Sequence, residues 1–390
     1  MSKISKLIKN PKLYFKDALL KYGFLKQKKA NSINIFESYS ACLHIGESEN
    51  HAFSHVQIWF DYFMASGLKF VILTRDNAAC RLIIEKFPEA KVVCAINSTH
   101  IKEFFEAFPT IRICLYPSNT ANNFHMLAYT HIKHVFIGHG DSDKSASAHK
   151  FFRAYDENWV SGDAHIDRIK NAGFALNGLE NIKVGRPALY EILSQNLSSW
   201  QERYQGQLNL LYLPTWEGAY AEQDYSSLER LIQNIRDISN LEKLNISVKL
   251  HPFTGKREKR YLDLYDVIKE EENINLIPTN ESLSSHIINS NLFICDISAA
   301  VSECLALDAP IFLYVPKDKN IKIAKSNMEY EDYCYIYRNS NELVNLILEV
   351  LSGNDYLVSN RKKAQKYIIN IEDTLNQKFI QKLQNEGNIC

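Results

Sequence analysis

The sequence has no Cys-x-x-Cys pair, although it contains eight cysteines. Cys42, Cys80, Cys94, Cys114, Cys295, Cys304, Cys334 and Cys390 stand singly, most of them inside apolar runs such as KVVCAI and RICLY. That scatter excludes the usual zinc and redox spacings. It points to reduced thiols packed as small apolar side chains, as in a cytoplasmic protein. No apolar run approaches the roughly 18–20 residues of a membrane-spanning helix, and no secretory leader is read at the start. Net charge is missing too. The 45 basic and 45 acidic residues balance, so no overall field directs the chain to nucleic acid. The absence of a Gly-x-Gly-x-x-Gly argues against a nicotinamide cofactor. There is no low-complexity tract and no short-period repeat.

What is present fits a folded protein of two domains, because 390 residues exceed what one core usually serves. Residues 1–29 carry nine lysines and one acid, Asp17, around an apolar series that includes Ile4, Leu7, Leu13, Leu19 and Phe24. Such a pattern suits either an interfacial helix on anionic lipid or a solvated helix packed on the protein. Short apolar runs then alternate with helix-length amphipathic stretches. The candidate strands are 33–38, 69–75, 91–96, 112–118, 134–139 and 157–162, and the pattern restarts at 208–216, 245–252, 274–278, 292–296 and 310–315. Continuous apolar strands between helices predict an α/β chain with parallel sheets covered on both faces. The expected division is a basic segment 1–30, a first domain 31–190, a second domain 205–355 and C-terminal helices 356–390 that could pack back on the first domain.

In an open parallel sheet, ligands bind beyond the carboxyl ends of the strands. The residues that follow these strands are His139-Gly140, Thr215-Trp216-Glu217, His251-Pro252 and Asp296-Ile297-Ser298. Gly138 and Gly140 leave room around His139, which can act as a base or donor near neutral pH. A histidine that caps the next helix is the bland alternative. Lys144 adds a candidate phosphate contact. Glu47, Asn50 and His51, in the loop GESENHAFSH, could touch the hydroxyls of an acceptor or form a solvated loop.

Four stretches in order, FIGHGDSDK, LYLPTWEG, VKLHP and ICDISAAVSECLALDAPIFLY, resemble the CDP-glycerol glycerophosphotransferase family of teichoic-acid and capsule polymerases and primases. The family wording is close to HG…K, APTW, KLHP and TDYSS. The resemblance implies a GT-B fold, two Rossmann-like domains facing a cleft. It also implies transfer of glycerol phosphate from CDP-glycerol to a hydroxyl of a surface-glycan or lipid-linked acceptor. His139 matches the family's HG histidine, the expected general base. His251 matches the HP histidine, expected as a protonated group near the donor diphosphate. Thr215, Asp296, Ser298 and Glu303 match positions expected to hold the diphosphate and nucleotide. Arg186, in VGRP, reverses the family's PR order and is given no role. Cys295, Ile297 and Ala299 replace the Thr, Tyr and second Ser of TDYSS, so one phosphate-facing hydroxyl is absent. No metal and no cofactor are expected, and no nucleic-acid partner.

Several features have competing readings. Asp141-Ser142-Asp143 imitates the metal-binding DxD of other glycosyltransferases but lies directly after the HG turn. His44, His51 and His55 with Glu47 and Glu49 match no standard metal spacing. Lys249, Lys256, Arg257, Lys259 and Arg260 surround His251 and suit either a polyanion or a solvated helix face. A GT-B glycosyltransferase that uses a nucleotide sugar is the alternative activity. A catalytically dead scaffold is disfavoured because both histidines, Asp296 and Ser298 are retained. The basic start places the protein in the cytoplasm, peripheral on the inner face of the membrane. Removal of residues 1–29 is expected to abolish co-sedimentation with anionic vesicles, and unchanged sedimentation of the truncated protein refutes the lipid reading.

Overall fold

The computed structural model describes residues 38–175, 178–203, 208–241, 244–271, 274–317 and 319–387, and at Asn50 and Ala146 only the backbone. The basic segment, the run 33–38 except Ser38, and Cys390 lie outside the described residues. Thirteen strands follow in chain order: β1 Ala41–Ile45, β2 Phe70–Thr74, β3 Val92–Cys94, β4 Ile113–Tyr116, β5 Lys133–Phe136, β6 Glu157–Val160, β7 Glu180–Lys183, β8 Leu208–Leu213, β9 Leu244–Val248, β10 Ile274–Leu276, β11 Leu292–Asp296, β12 Ile311–Tyr314 and β13 Tyr335–Tyr337. They form two parallel sheets, β3-β2-β1-β4-β5-β6-β7 and β10-β9-β8-β11-β12-β13.

Apolar sequence explains the strands. β1, β2, β4, β11 and β12 are buried along their whole length, as parallel strands covered on both faces must be. Polar residues mark where the helices begin. Asp76, Asn97 and Asn339 each accept a backbone N–H of the first turn, at Asn77–Lys86, Ser98–Ala107 and Ser340–Leu351. The seven described cysteines are buried thiols outside any disulfide.

Each sheet reverses its strand order once, between β1 and β4 in the first and between β8 and β11 in the second. Loops leaving adjacent strands at such a point run to opposite sides and open a crevice at the carboxyl ends. Thr215 follows β8 and Asp296 ends β11, so both stand at the switch point of the second sheet. Gly46 and Glu47 follow β1, and Pro117 follows β4, at the switch point of the first.

Three strands differ from the sequence reading. β1 lies at Ala41–Ile45, and His44 is inside it rather than beyond it. Its buried imidazole interrupts an otherwise apolar run. β7 is the polar segment Glu-Asn-Ile-Lys at a sheet edge, where burial does not require apolar residues. β13 has only three residues.

The chain divides into two compact units. One comprises the described residues up to His139, Ala154–Glu157 and those from Ile380; the other comprises Gly140–Arg153 and Asn158–Phe379. In the first unit, Lys133 Nζ lies 2.8 Å from Glu157 and 2.7 Å from Glu386. Both of those carboxylates are buried.

In the second unit the loop after β8 turns at Gly218, whose φ is +70°. A Cβ there would stand 2.4 Å from the carbonyl oxygen of Gln223, so only glycine fits. Its neighbour Glu217 is 0% exposed. Glu217 Oε1 accepts the N–H groups of Arg257 and Glu258 at 2.7 and 2.9 Å, and Oε2 accepts that of Gly255 at 3.2 Å. One carboxylate therefore fastens the β8 loop to the loop after β9. Glu217→Gln sets an amide donor against one of these N–H groups. It is expected to cost about 1–3 kcal/mol in denaturant unfolding, and an unchanged midpoint refutes that role.

Candidate active site

In the first unit the helix Glu49–Ala65 shapes the surroundings of His139. His55 and Trp59, one turn apart, share a face of that helix. Trp59 Nε1 donates 2.8 Å to the carbonyl of Gly138, where φ is +65°. The His55 ring lies 4.2 Å from the His139 ring, tilted by 31°. His139 Nδ1 stands 2.8 Å from the carbonyl oxygen of Pro117. A carbonyl only accepts, so Nδ1 carries the proton and Nε2 is the basic nitrogen of the neutral ring.

Glu47 Oε1 lies 3.4 Å from His55 Nδ1. Burial alone would raise the Glu47 carboxyl, but the His55 contact and the nearby His139 bring it below its ordinary value. Glu47 thus remains a carboxylate beside two imidazoles. His51 is half-buried in the first turn of the helix, and its carbonyl accepts from Ser54 Oγ. The side chain of Asn50 lies outside the described residues. His44 is buried in β1, and burial with Arg75 nearby pulls its ring down to about 3, so it is uncharged at neutral pH. Among the described residues, no three His, Cys, Asp or Glu side chains are grouped to hold a metal ion.

In the second unit the strand-end residues meet through a buried carboxylate. Asp296 is 0% exposed. Its Oδ2 accepts the N–H groups of Thr215 and Ser227 at 2.8 and 2.9 Å. Burial pushes this carboxyl up to about 7 against those two donors. Lys144 Nζ reaches Thr215 Oγ1 at 3.0 Å and lies 5.4 Å from the centre of the Tyr225 ring. Burial pulls the Lys144 ammonium down to about 8, with Asp296 opposing. Lys144, Thr215 and Asp296 are therefore one cluster, with Asp296 inside it as the group that positions the loop.

His251 has the opposite arrangement to His139. Its Nδ1 accepts the N–H of Phe253 at 3.1 Å, so the neutral ring carries its proton on Nε2 and donates there. Trp216 stacks on it at 6.1 Å and 20°. Ser298 Oγ accepts the N–H of Ala300 and caps the short helix Ala299–Cys304. Glu303 Oε1 pairs with Arg186 at 3.0 Å, and Arg186 also donates to Ser302. Burial raises the Glu303 carboxyl, and Arg186 opposes the rise. Gly140 is needed for close packing, since a Cβ there would stand 3.0 Å from that of Ala299.

Sequence reasoning gave no role to Glu217 or Arg186, read His55 only as one of a histidine cluster, and passed over Arg168. Glu217 was visible as a charge inside the strand-end motif PTWEG. His55 and Trp59 were visible as an i, i+4 pair. Arg168 occupies the buried face of the helix Asp163–Asn171 with Ala164, His165 and Ile169, and an arginine in a buried stripe calls for acidic partners. Those partners are Asp141 and Asp143, so the Asp-Ser-Asp stretch holds a guanidinium. The basic residues around His251 are laced with acids. Arg257 pairs with Asp224 and Glu258, and Arg260 with Glu229 and Glu258. A polar cavity of about 580 Å³ opens elsewhere, at the amino-end half of β8–β10, lined by Asn209, Asn245, Asn275, Ser247 and others. None of its lining residues belongs to the clusters above.

The model of the family described as CDP-Glycerol:Poly(glycerophosphate) glycerophosphotransferase matches residues 129–383. The four motif stretches fall within that span. No curated protein matches the sequence. Similar solved structures include the wall teichoic acid polymerase TagF, with TM-score 0.57 and 11% identity over 95% of this chain and 97% of that one. A TagF variant soaked with CDPG has TM-score 0.57 and 12% identity over 91% and 90%. The UDP-GlcNAc 2-epimerase from Neisseria meningitidis bound to UDP-GlcNAc has TM-score 0.57 and 9% identity over 89% and 100%. At such identities the likeness is one of fold, the GT-B arrangement of two parallel-sheet domains. The family match covers well over half of the sequence: this chain belongs to the CDP-glycerol:poly(glycerophosphate) glycerophosphotransferases, a family of transferases.

Proposed function

We propose that the protein moves glycerol phosphate from CDP-glycerol to a hydroxyl of a surface-polymer acceptor, with His139 and His251 in complementary proton roles. The observation that carries this reading is the pair of backbone partners. The Pro117 carbonyl leaves His139 with a basic Nε2, and the Phe253 N–H leaves His251 with a donating Nε2–H. The acceptor oxygen forms a bond to the β-phosphorus of CDP-glycerol. The bond from that phosphorus to the bridging oxygen breaks, CMP leaves, and the acceptor proton passes to His139 Nε2. His251 donates a hydrogen bond to the leaving phosphate as its charge grows. A neutral donor of this kind takes the place of the protonated ring inferred from sequence. Catalysis is positioning and charge stabilisation.

The remaining roles follow from chemistry. Lys144, beside Thr215, is the cation for the donor diphosphate, and the Ser298 hydroxyl can donate to a phosphate oxygen while it caps its helix. Glu303, braced by Arg186, suits a ribose hydroxyl. Glu47 is assigned to the support of the His55–His139 pair, and Asn50 and His51 to the acceptor side. The acceptor is a teichoic-acid-like or capsule polymer assembled in the cytoplasm at the inner membrane face, where residues 1–29 would hold the enzyme on anionic lipid. Among the described residues no helix is long and apolar enough to cross a membrane. Family membership favours phosphotransfer over glycosyl transfer from a nucleotide sugar.

The test is CMP release from CDP-glycerol, CDP-ribitol and a panel of nucleotide sugars with a crude surface-glycan acceptor. His139→Ala is expected to lower kcat by about 10²–10⁴ and His251→Ala by about 10²–10³. Turnover of a nucleotide sugar alone, or activity that survives both changes, overturns the reading. A pH profile tests Lys144 separately. Its ammonium is present below about 8 and lost above, and an anionic donor prefers the charged form. So kcat/KM for CDP-glycerol should fall above that pH, approaching about tenfold per unit. Lys144→Arg keeps its charge and should remove this limb; a limb that persists in the variant belongs to another group.

A further inference from the structure

We propose that Arg168 is a positioning residue for the donor, fixing Asp141 and Asp143 so that the next residue, Lys144, is presented to the phosphate. The inference rests on the assignment of Lys144 made above. Arg168 is 2% exposed. Its Nη1 donates to Asp141 Oδ1 and its Nε to Asp143 Oδ1. A guanidinium is a planar fork with donors in fixed directions. Shared between carboxylates two residues apart, it sets the path of the chain through Ser142.

The backbone beyond is held as well. The Asp143 carbonyl accepts the N–H of Ala324 at 2.7 Å, and the Asp143 N–H donates to the Tyr330 hydroxyl at 3.3 Å. Lys144 then forms an isolated antiparallel bridge with Ile323. Residue 143 is thus bound through its side chain, its N–H and its carbonyl, and Lys144 starts from a fixed backbone. Its side chain has one course, past Tyr225 to Thr215 Oγ1. An ammonium already aimed in this way loses little freedom when the donor arrives.

Two carboxylates share one guanidinium, and His165 Nδ1 approaches Asp141 at 3.4 Å. Burial would raise both carboxyls. Arg168 overrides it at Asp141, which is held well below the ordinary range, while Asp143 is pushed up to about 6. Each carboxylate places its Oδ1 on the guanidinium, and together they exceed Arg168 by one negative charge.

The experiment uses the full-length protein and a double-mutant cycle on Arg168 and Lys144. Arg168→Gln, Lys144→Met and the double variant are compared in kcat and KM for CDP-glycerol, with thermal unfolding followed in parallel. Arg168→Lys and Asp143→Asn serve where Arg168→Gln folds poorly. Each single change is expected to raise KM about tenfold with a smaller change in kcat, and the double variant to be no worse than Lys144→Met. Multiplicative effects, or a lowered melting point with unchanged KM, overturn the proposal. A readout without donor is the rate at which acetic anhydride labels Lys144, followed by mass spectrometry. It should rise several-fold in Arg168→Lys and Asp143→Asn relative to the wild type. An unchanged rate refutes the positioning role whichever donor the enzyme uses. Absence of CDP-glycerol turnover in the wild type, by contrast, refutes only the donor assignment.

Discussion

A carboxylate buried at the carboxyl end of a parallel strand is the constraint on which the second unit depends. Strand-end loops bring backbone N–H groups into the protein with no ladder to receive them, and an unpaired buried donor is costly. Asp296 receives two such groups, from Thr215 and Ser227. Glu217 receives three, from Gly255, Arg257 and Glu258. The loops after β8, β9 and β11 are therefore tied together through acids as well as through apolar residues such as Tyr225, Leu250 and Ile297. Thr215 and His251, which the proposed chemistry uses, stand on loops held in this way. Burial leaves Asp296 close to its proton, up to about 7. Its charge is therefore sensitive to any cation or anion that joins the site.

The fold was largely legible because parallel strands buried on both faces must be continuously apolar. KFVILTR, RICLYPS, LFICD and PIFLYV announce β2, β4, β11 and β12 without ambiguity. Where burial is partial the signal fails. β7 is made of Glu180, Asn181, Ile182 and Lys183 at an edge, and nothing in its composition marks a strand. β1 was missed for the opposite reason, since His44 is fully buried there and imitates a strand end.

The site was legible in its residue types and much less in its partnerships. Strand-end position and motif order single out His139, Thr215, His251 and Asp296. The tautomers of the two histidines are set by the Pro117 carbonyl and the Phe253 N–H, and backbone groups leave no mark in sequence. Arg168 lies 25 residues from Asp143. Only the fold brings the two together, which is why Asp-Ser-Asp only imitates a metal motif on paper and is a guanidinium clamp in space. Glu303 and Arg186 are likewise separated by 117 residues.

The ion pair between Lys133 and Glu386 spans 253 residues of sequence. Gln384 binds the Ser66 carbonyl of the same unit across 318. During synthesis, Lys133 and Glu157 are therefore made long before their last carboxylate partner. The earlier-made unit completes this charge cluster only when the helix Lys378–Gly387 has been made. Contacts of such separation are slow to form because loop closure precedes any gain. The unit whose strands come first in the sequence is thus closed by one of the last helices described.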